Sequence, residues 1–328
     1  MRLENLYPSK TSLDKSKEGD RAVAFEQQWQ GAREIEVAAE RVRVYDMQPK
    51  EAKTQTPTLV VPGWVTGPGV FKEHLRTLVE SGRRAISVDA PHGVAHEIDS
   101  QQAFGEVANS ELRRIAAFMG ALDASGIEKT DAIGHSEGGF DVALAAAMYP
   151  ERFGNIILVD PAGIIGSDSV ASLAARFTWD QVKGIAGSLR DGTLSARIDL
   201  LNKGAPATLL HPVHSWREVR SLAAANILDL LTHIKSQGIG VVIIHGADDT
   251  AFPMERAQKE IQKTVVQQVG PREDMQTRND ERLEQITGQV LDGFISVKGG
   301  HADFIVHAPE YTRLAEGQLT ALEARRSQ

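Results

Sequence analysis

Read for its apolar positions, the chain alternates two rhythms. Short apolar runs at 58–61, 85–88, 131–133, 155–159, 240–244 and 294–297 are separated by stretches in which apolar residues return every three or four positions. A short unbroken apolar run fits a strand buried on both faces, and the 3.6-residue repeat marks a helix with one buried face. Phe71, Leu75 and Leu78 form such a face in a helix predicted over about 70–80, and Leu112, Ile115, Met119 and Leu122 form another between 104 and 127. The segment 140–149 is apolar almost all round, which predicts a buried helix. Alternation of this kind predicts an α/β fold with a mostly parallel sheet and helices on both faces. Before it, 34–37 and 41–44 alternate polar and apolar residues around a turn, the signature of a half-exposed antiparallel edge hairpin.

One long stretch breaks the rhythm. From Gly163 to about Lys235 there is no strand-like run. Val170, Leu173 and Phe177 mark one amphipathic helix there, and Trp216, Val219, Leu222, Ile227, Leu230 and Ile234 mark another. A helical cap inserted after the sixth strand accounts for the change. The chain therefore divides into an N-terminal extension, 1–30, with a short helix through Ala22, Ala24, Phe25 and Trp29; a first core part, 31–163; a cap, 164–235; and a second core part, 236–328. The charged, glutamine-rich segment 254–289 reads as one or two solvated helices broken at Gly270-Pro271. A helix over 309–325 closes the chain.

Composition narrows the function classes. Of 328 residues, 41% are hydrophobic and 24% charged, ordinary for a globular chain long enough for a large core, and the formal net charge of −8 disfavours nucleic acid and anionic lipid as partners. There is no cysteine, hence no thiolate nucleophile. The first residues carry no apolar leader, and no run approaches a membrane span, so a cytoplasmic protein without membrane contact is expected.

The chemistry centres on Ile133-Gly134-His135-Ser136-Glu137-Gly138-Gly139, where a predicted strand turns into a predicted helix. Glycines two positions either side of a serine let the chain turn sharply without side-chain collision and leave the serine Oγ exposed. The helix behind it points unpaired N–H groups at that oxygen. A serine hydroxyl needs a base, and the base needs a third group to hold its tautomer. Asp249 stands just past one predicted strand end and His301 just past the next, on the same carboxyl edge of the sheet as Ser136.

Four motifs in chain order, Pro62-Gly63-Trp64, Gly134-His135-Ser136-Glu137-Gly138, Gly246-Ala247-Asp248-Asp249 with Pro253 beyond, and Gly300-His301, resemble the α/β-hydrolase family over roughly residues 31–328. The resemblance implies that Ser136 attacks a carbonyl, that His301 is base and then acid, and that Asp249 orients it. It also implies that the backbone N–H groups of Trp64 and Glu137 form an oxyanion hole. Where many members carry His-Gly, this chain has Pro62-Gly63. Some members place the acid one strand earlier, which makes Asp160 a rival to Asp249, whereas Asp248 falls one residue short of the Gly-x-x-Asp spacing. Trp64, Phe177 and Trp179 are the expected substrate contacts.

The remaining histidines read as packing or surface residues. His92 and His96 with Glu97, and His211 with His214, match no established ligand spacing, so neither a metal nor a cofactor is expected. The function expected is a serine hydrolase acting through an acyl-enzyme on a small to medium, largely apolar carboxylic ester or related acyl compound. Amide, thioester, lactone or carbon–carbon cleavage, or acyl transfer, would use the same residues. A ligand-binding protein on the same fold with negligible turnover is the alternative from another class. A base near the ordinary histidine pKa of about 6.5 is expected to govern activity.

Overall fold

The structure, a computed structural model, describes residues 15–37, 40–64, 66–90, 109–195, 197, 198, 200, 202, 212–269 and 290–326. Eight strands form one sheet: β1 (Arg33–Val37), β2 (Glu40–Met47), β3 (Thr58–Val61), β4 (Ala85–Asp89), β5 (Thr130–His135), β6 (Phe153–Val159), β7 (Gly240–Gly246) and β8 (Gly293–Val297). Their spatial order is β1-β2-β4-β3-β5-β6-β7-β8. The hairpin β1–β2 and the β2–β4 pair are antiparallel, and every later pair is parallel. The central strands β3, β5, β6 and β7 are buried along their whole length, as their apolar runs require, whereas the edge strand β1 is exposed or half-buried throughout.

Successive side chains of a strand serve opposite faces. Leu59, Ile156 and Leu158 enter the core formed with α3 (Asn109–Ala124), α4 (Glu137–Met148), α7 (Leu228–Ser236) and α8 (Met254–Val269). Val60, Ile157 and Val159 enter the opposite core, built with α1 (Lys15–Gln30), α2 (Lys72–Ser81), α9 (Asp303–Val306) and α10 (Ala308–Arg326). The α1 helix is seated on β2 and α2: Trp29 stacks on Tyr45 with ring centroids 4.2 Å apart, and Glu26 pairs with Lys72 and Arg76.

Between β6 and β7 lie α5 (Val170–Asp191), α6 (Pro212–Ala224) and α7. The apolar stripe from 216 to 234 is thus two helices rather than one. The break is built at Asn226, whose side-chain oxygen accepts from the Leu228 amide, and at Ile227, whose amide bonds back to Gly163. Beyond it α7 packs on α4 and α8 in the core layer, while α5 and α6 pack on each other. The α8 helix is also less solvated than its composition implies, because Ala257, Ile261 and Thr264 form a buried face.

The connection from β5 to α4 leaves no room for side chains. A Cβ on Gly138 would lie 2.3 Å from the Pro62 carbonyl oxygen and 2.4 Å from that of Val61, and one on Gly134 would lie 2.3 Å from the Gly138 oxygen. Backbone cannot yield as a flexible side chain does. Gly138→Ala is therefore expected to destabilise the fold by about 1–3 kcal/mol. A urea denaturation curve with an unchanged midpoint would contradict the packing described.

Candidate active site

Ser136 is the one residue between β5 and α4, with φ 56° and ψ −120°. Among the described residues only Ser136 and Asp160 hold positive φ without being glycine. Such conformations cost on the order of 1–3 kcal/mol and persist where the surroundings over-determine them. Here the Ser136 amide bonds to Val159 O on β6, and the Ser136 carbonyl accepts from Gly139 and Ala162. The turn is held from both sides.

The strand ends bring the three separated side chains together. His301 Nε2 lies 2.9 Å from Ser136 Oγ, and His301 Nδ1 lies 2.9 Å from Asp249 Oδ2. The other Asp249 oxygen accepts from the Phe252 amide at 2.9 Å, which fixes the carboxylate. All three residues are buried, each less than 5% exposed. With Asp249 accepting at Nδ1, the imidazole presents a lone pair at Nε2 to the serine hydroxyl, an arrangement able to withdraw its proton.

Asp160 takes a different place. Its Oδ1 accepts from the Gly246 amide at 2.7 Å and lies 3.4 Å from His245 Nδ1, so it fastens the start of the loop that carries Asp249. Asp248 is exposed. His135 and His245 point their Nε2 atoms at the carbonyls of His301 and Phe252, and His74 of α2 is likewise buried, with Nε2 against Phe304 O. Burial pushes His74 down to about 4 despite that bond, so it is a neutral core residue.

The two amides expected to receive an oxyanion belong to residues next to backbone that adjoins the serine. Glu137 opens α4 directly after it. Gly63, just before Trp64, passes so close that a Cβ there would lie 3.1 Å from Ser136 Cβ. Neither the Trp64 nor the Glu137 amide makes any of the backbone bonds among the described residues. The Trp64 indole is half-buried, with its Nε1–H donated to Glu218 of α6 at 2.8 Å.

Phe177 on α5 sets its ring edge-on to His301, centroids 5.1 Å apart, and Phe252 does the same at 5.1 Å. Trp179 does not join them: it is 58% exposed. Two residues along a helix turn the side chain by about 200°, so a Phe177 facing His301 sends Trp179 to the outer surface. His92, His96, Glu97 and His211 lie outside the described residues, as does the His214 side chain.

Residues that the sequence reading passed over complete the surroundings. Asp180 of α5 accepts from both the amide and the hydroxyl of Thr250, tying α5 to the loop of Asp249. Arg114 of α3 is buried among Glu111, Glu137, Asp141 and Glu218. Burial works against its charge, but Asp141, Glu137 and Glu111 hold it well above the usual arginine value. Glu137 is pushed well above the usual carboxylate range by burial and by its acidic neighbours, against the pull of Arg114. The signal for these residues was a charge on an otherwise apolar helix face: Arg114 shares its face with Phe118 and Ala121, and Glu218 with Leu222.

Burial alone would lower the pKa of His301. The charge and hydrogen bond of Asp249, with the charges of Asp160 and Asp180, lift it instead to about 9. Asp160 is itself pushed well above the carboxylate range, by burial and then by Asp249, against the pull of His301 and of the Gly246 amide.

Comparison with known proteins identifies the family and the fold. Residues 58–308 match the Alpha/beta hydrolase family. The chain belongs to that family. It is 29% identical over 142 residues to a 2-hydroxy-6-oxononadienedioate/2-hydroxy-6-oxononatrienedioate hydrolase of Paraburkholderia phymatum, covering 42% of this chain and 46% of that one. Over 112 residues it is 32% identical to a 2-hydroxy-6-oxo-6-phenylhexa-2,4-dienoate hydrolase of Burkholderia cepacia, covering 32% of this chain and 36% of the relative. These matches span less than half the length of either relative. Among solved structures, a thermophilic esterase from Thermogutta terrifontis shares the fold with a TM-score of 0.59, 16% identity, and coverage of 89% of this chain and 98% of that one. No helix among the described residues is long and apolar enough to cross a membrane.

The sign of the His301 shift gives a prediction independent of any substrate. Stabilised imidazolium keeps its proton to higher pH, so the His301 ring signals in an NMR titration should move with a midpoint between about 6.5 and about 9. Asp249→Asn should bring that midpoint below the wild-type value, because burial then acts with less opposition. A midpoint unmoved by this substitution would contradict the assigned environment.

Proposed function

We propose that this α/β hydrolase is a serine hydrolase that cleaves a small to medium, largely apolar carboxylic ester or related acyl compound through an acyl-enzyme. The observation that supports this most directly is the buried chain of two 2.9 Å contacts from Asp249 through His301 to Ser136. In this reading Ser136 Oγ attacks the carbonyl carbon as His301 Nε2 takes the serine proton, and Asp249 stabilises the imidazolium. The amides of Trp64 and Glu137 receive the oxyanion. Collapse expels the alcohol with the proton that His301 returns, and water repeats the sequence to free the acid and Ser136. Phe177 and Phe252 beside His301 supply apolar contact, and α5 and α6 act as a cap over the site.

The relatives support a second reading. Their named substrates carry a ketone at C6, and hydrolysis there breaks a carbon–carbon bond, so the same serine and histidine would act on a carbon leaving group. Kinetics on p-nitrophenyl esters of increasing acyl length and on a 6-oxo-dienoate, under the same conditions, separate the two. A higher kcat/KM on the esters supports the first reading, and preference for the oxo-dienoate replaces it with the second. A folded protein inert towards both would favour ligand binding without turnover.

On the preferred substrate, Ser136→Ala should abolish turnover with little change in Tm, because Oγ carries chemistry rather than packing. Asp249→Asn is expected to lower kcat roughly a thousandfold or more, since the wrong imidazole tautomer then faces the serine. Asp160→Asn should cost less than about tenfold. The reverse order of losses would transfer the acid's role to Asp160.

A further inference from the structure

The buried charges beside the serine turn form one connected group. Glu218, 2% exposed on α6, holds the Trp64 indole N–H at 2.8 Å through Oε2 and meets Arg114 Nη1 at 3.3 Å through Oε1. The same guanidinium meets Glu137 at 2.8 Å through Nη2 and Asp141 at 2.8 Å through Nε. One arginine thereby links side chains of three elements: the loop of Trp64 through Glu218, the start of α4 through Glu137 and Asp141, and the inserted helix α6. Trp64 follows Gly63, whose backbone passes against Ser136, and Glu137 follows Ser136 directly; theirs are the two amides read above as the oxyanion donors.

We propose that Glu218 is a positioning residue for the oxyanion hole: from α6 it fixes the Trp64 indole and, through Arg114, the Glu137 side chain, so that the two amide donors are aligned only when α6 is seated. This rests on the reading of Ser136 as a nucleophile. Oxyanion donors work by being fixed before the charge develops, and a displacement of about 1 Å can cost on the order of 100-fold in rate. The loop after β3 has a conspicuous polar anchor in the Trp64–Glu218 bond, which crosses from core to insertion over 154 residues of sequence. A buried carboxylate held between an indole N–H and a guanidinium has little access to water as an alternative partner, which favours a single geometry.

The test is the second-order rate constant for phosphonylation of Ser136 by a fluorophosphonate, which needs no knowledge of the substrate. Glu218→Ala leaves Arg114 with Glu111, Glu137 and Asp141, so the guanidinium keeps its compensation and the variant should fold. Labelling should slow by about 10–100-fold. Glu218→Gln retains an oxygen for the indole and should recover most of the rate. Trp64→Phe removes the indole donor alone and should reproduce part of the Glu218→Ala loss, with the double variant no slower than Glu218→Ala, because that substitution has already broken the Trp64–Glu218 bond. On a turned-over substrate the loss should fall on kcat with KM nearly unchanged, a split that general loosening of α6 would not produce. Wild-type labelling rates in folded Glu218→Ala, or independent losses from Trp64→Phe and Glu218→Ala that multiply in the double variant, would overturn the proposal. A wild-type protein that is not labelled at Ser136 would instead overturn the reading beneath it.

Discussion

The structure depends on the absence of space between β3, β5 and the start of α4. Gly138 lies against the carbonyls of Val61 and Pro62, and Gly134 against Gly138 itself, so β5 passes into α4 through a single residue. That residue must adopt positive φ, and being serine it pays a small backbone strain in return for a fixed hydroxyl. Everything else at the site is arranged relative to that oxygen. The Gly63 backbone closes on it from β3, and the ends of β7 and β8 deliver Asp249 and His301 to the same edge.

Two groups of buried charge surround the turn and have opposite character. Around His301 the charge and hydrogen bond of Asp249, with the charges of Asp160 and Asp180, outweigh burial and favour imidazolium, while burial and Asp249 push Asp160 itself well above the carboxylate range. Around Arg114, one guanidinium faces four carboxylates, and Glu137 is held toward its neutral form. An isolated carboxylate next to an oxyanion hole would oppose the charge that develops there, so both the neutral tendency of Glu137 and its arginine suit the proposed chemistry. In each group an inserted helix contributes one acid, Asp180 from α5 and Glu218 from α6. Both inserted helices are therefore fastened by polar contacts to loops beside the serine.

Much of this was legible in the chain. The apolar runs marked every buried strand, because a strand covered on both faces has little freedom in composition. Chain order and strand ends selected Asp249 over Asp160, and the structure places Asp249 at His301 while Asp160 bonds the Gly246 amide. Two kinds of information were hidden. Facing direction on a helix needs an absolute phase, which local periodicity does not supply when apolar residues lie on both sides; Trp179 was assigned inward for that reason and is exposed. Contacts such as Trp64 with Glu218, or Thr250 with Asp180, join residues far apart in sequence and leave only a misplaced charge on an apolar face. Likewise the break at Asn226 lies inside a continuous apolar repeat and is set by the Asn226 side chain on the Leu228 amide and by the bond from the Ile227 amide to Gly163, neither of which the repeat encodes.

The central claim is that Ser136 forms a covalent acyl-enzyme which water then resolves. Partition of that intermediate tests it most directly. For a series of acyl donors sharing one acyl group and differing in leaving group, with methanol added as a competing acceptor, a common acyl-enzyme requires the same ratio of methyl ester to free acid from every donor. A constant ratio is expected, whatever the individual rates. A ratio that changes with the leaving group would show that water or methanol attacks the bound donor directly, and would contradict the role assigned to Ser136.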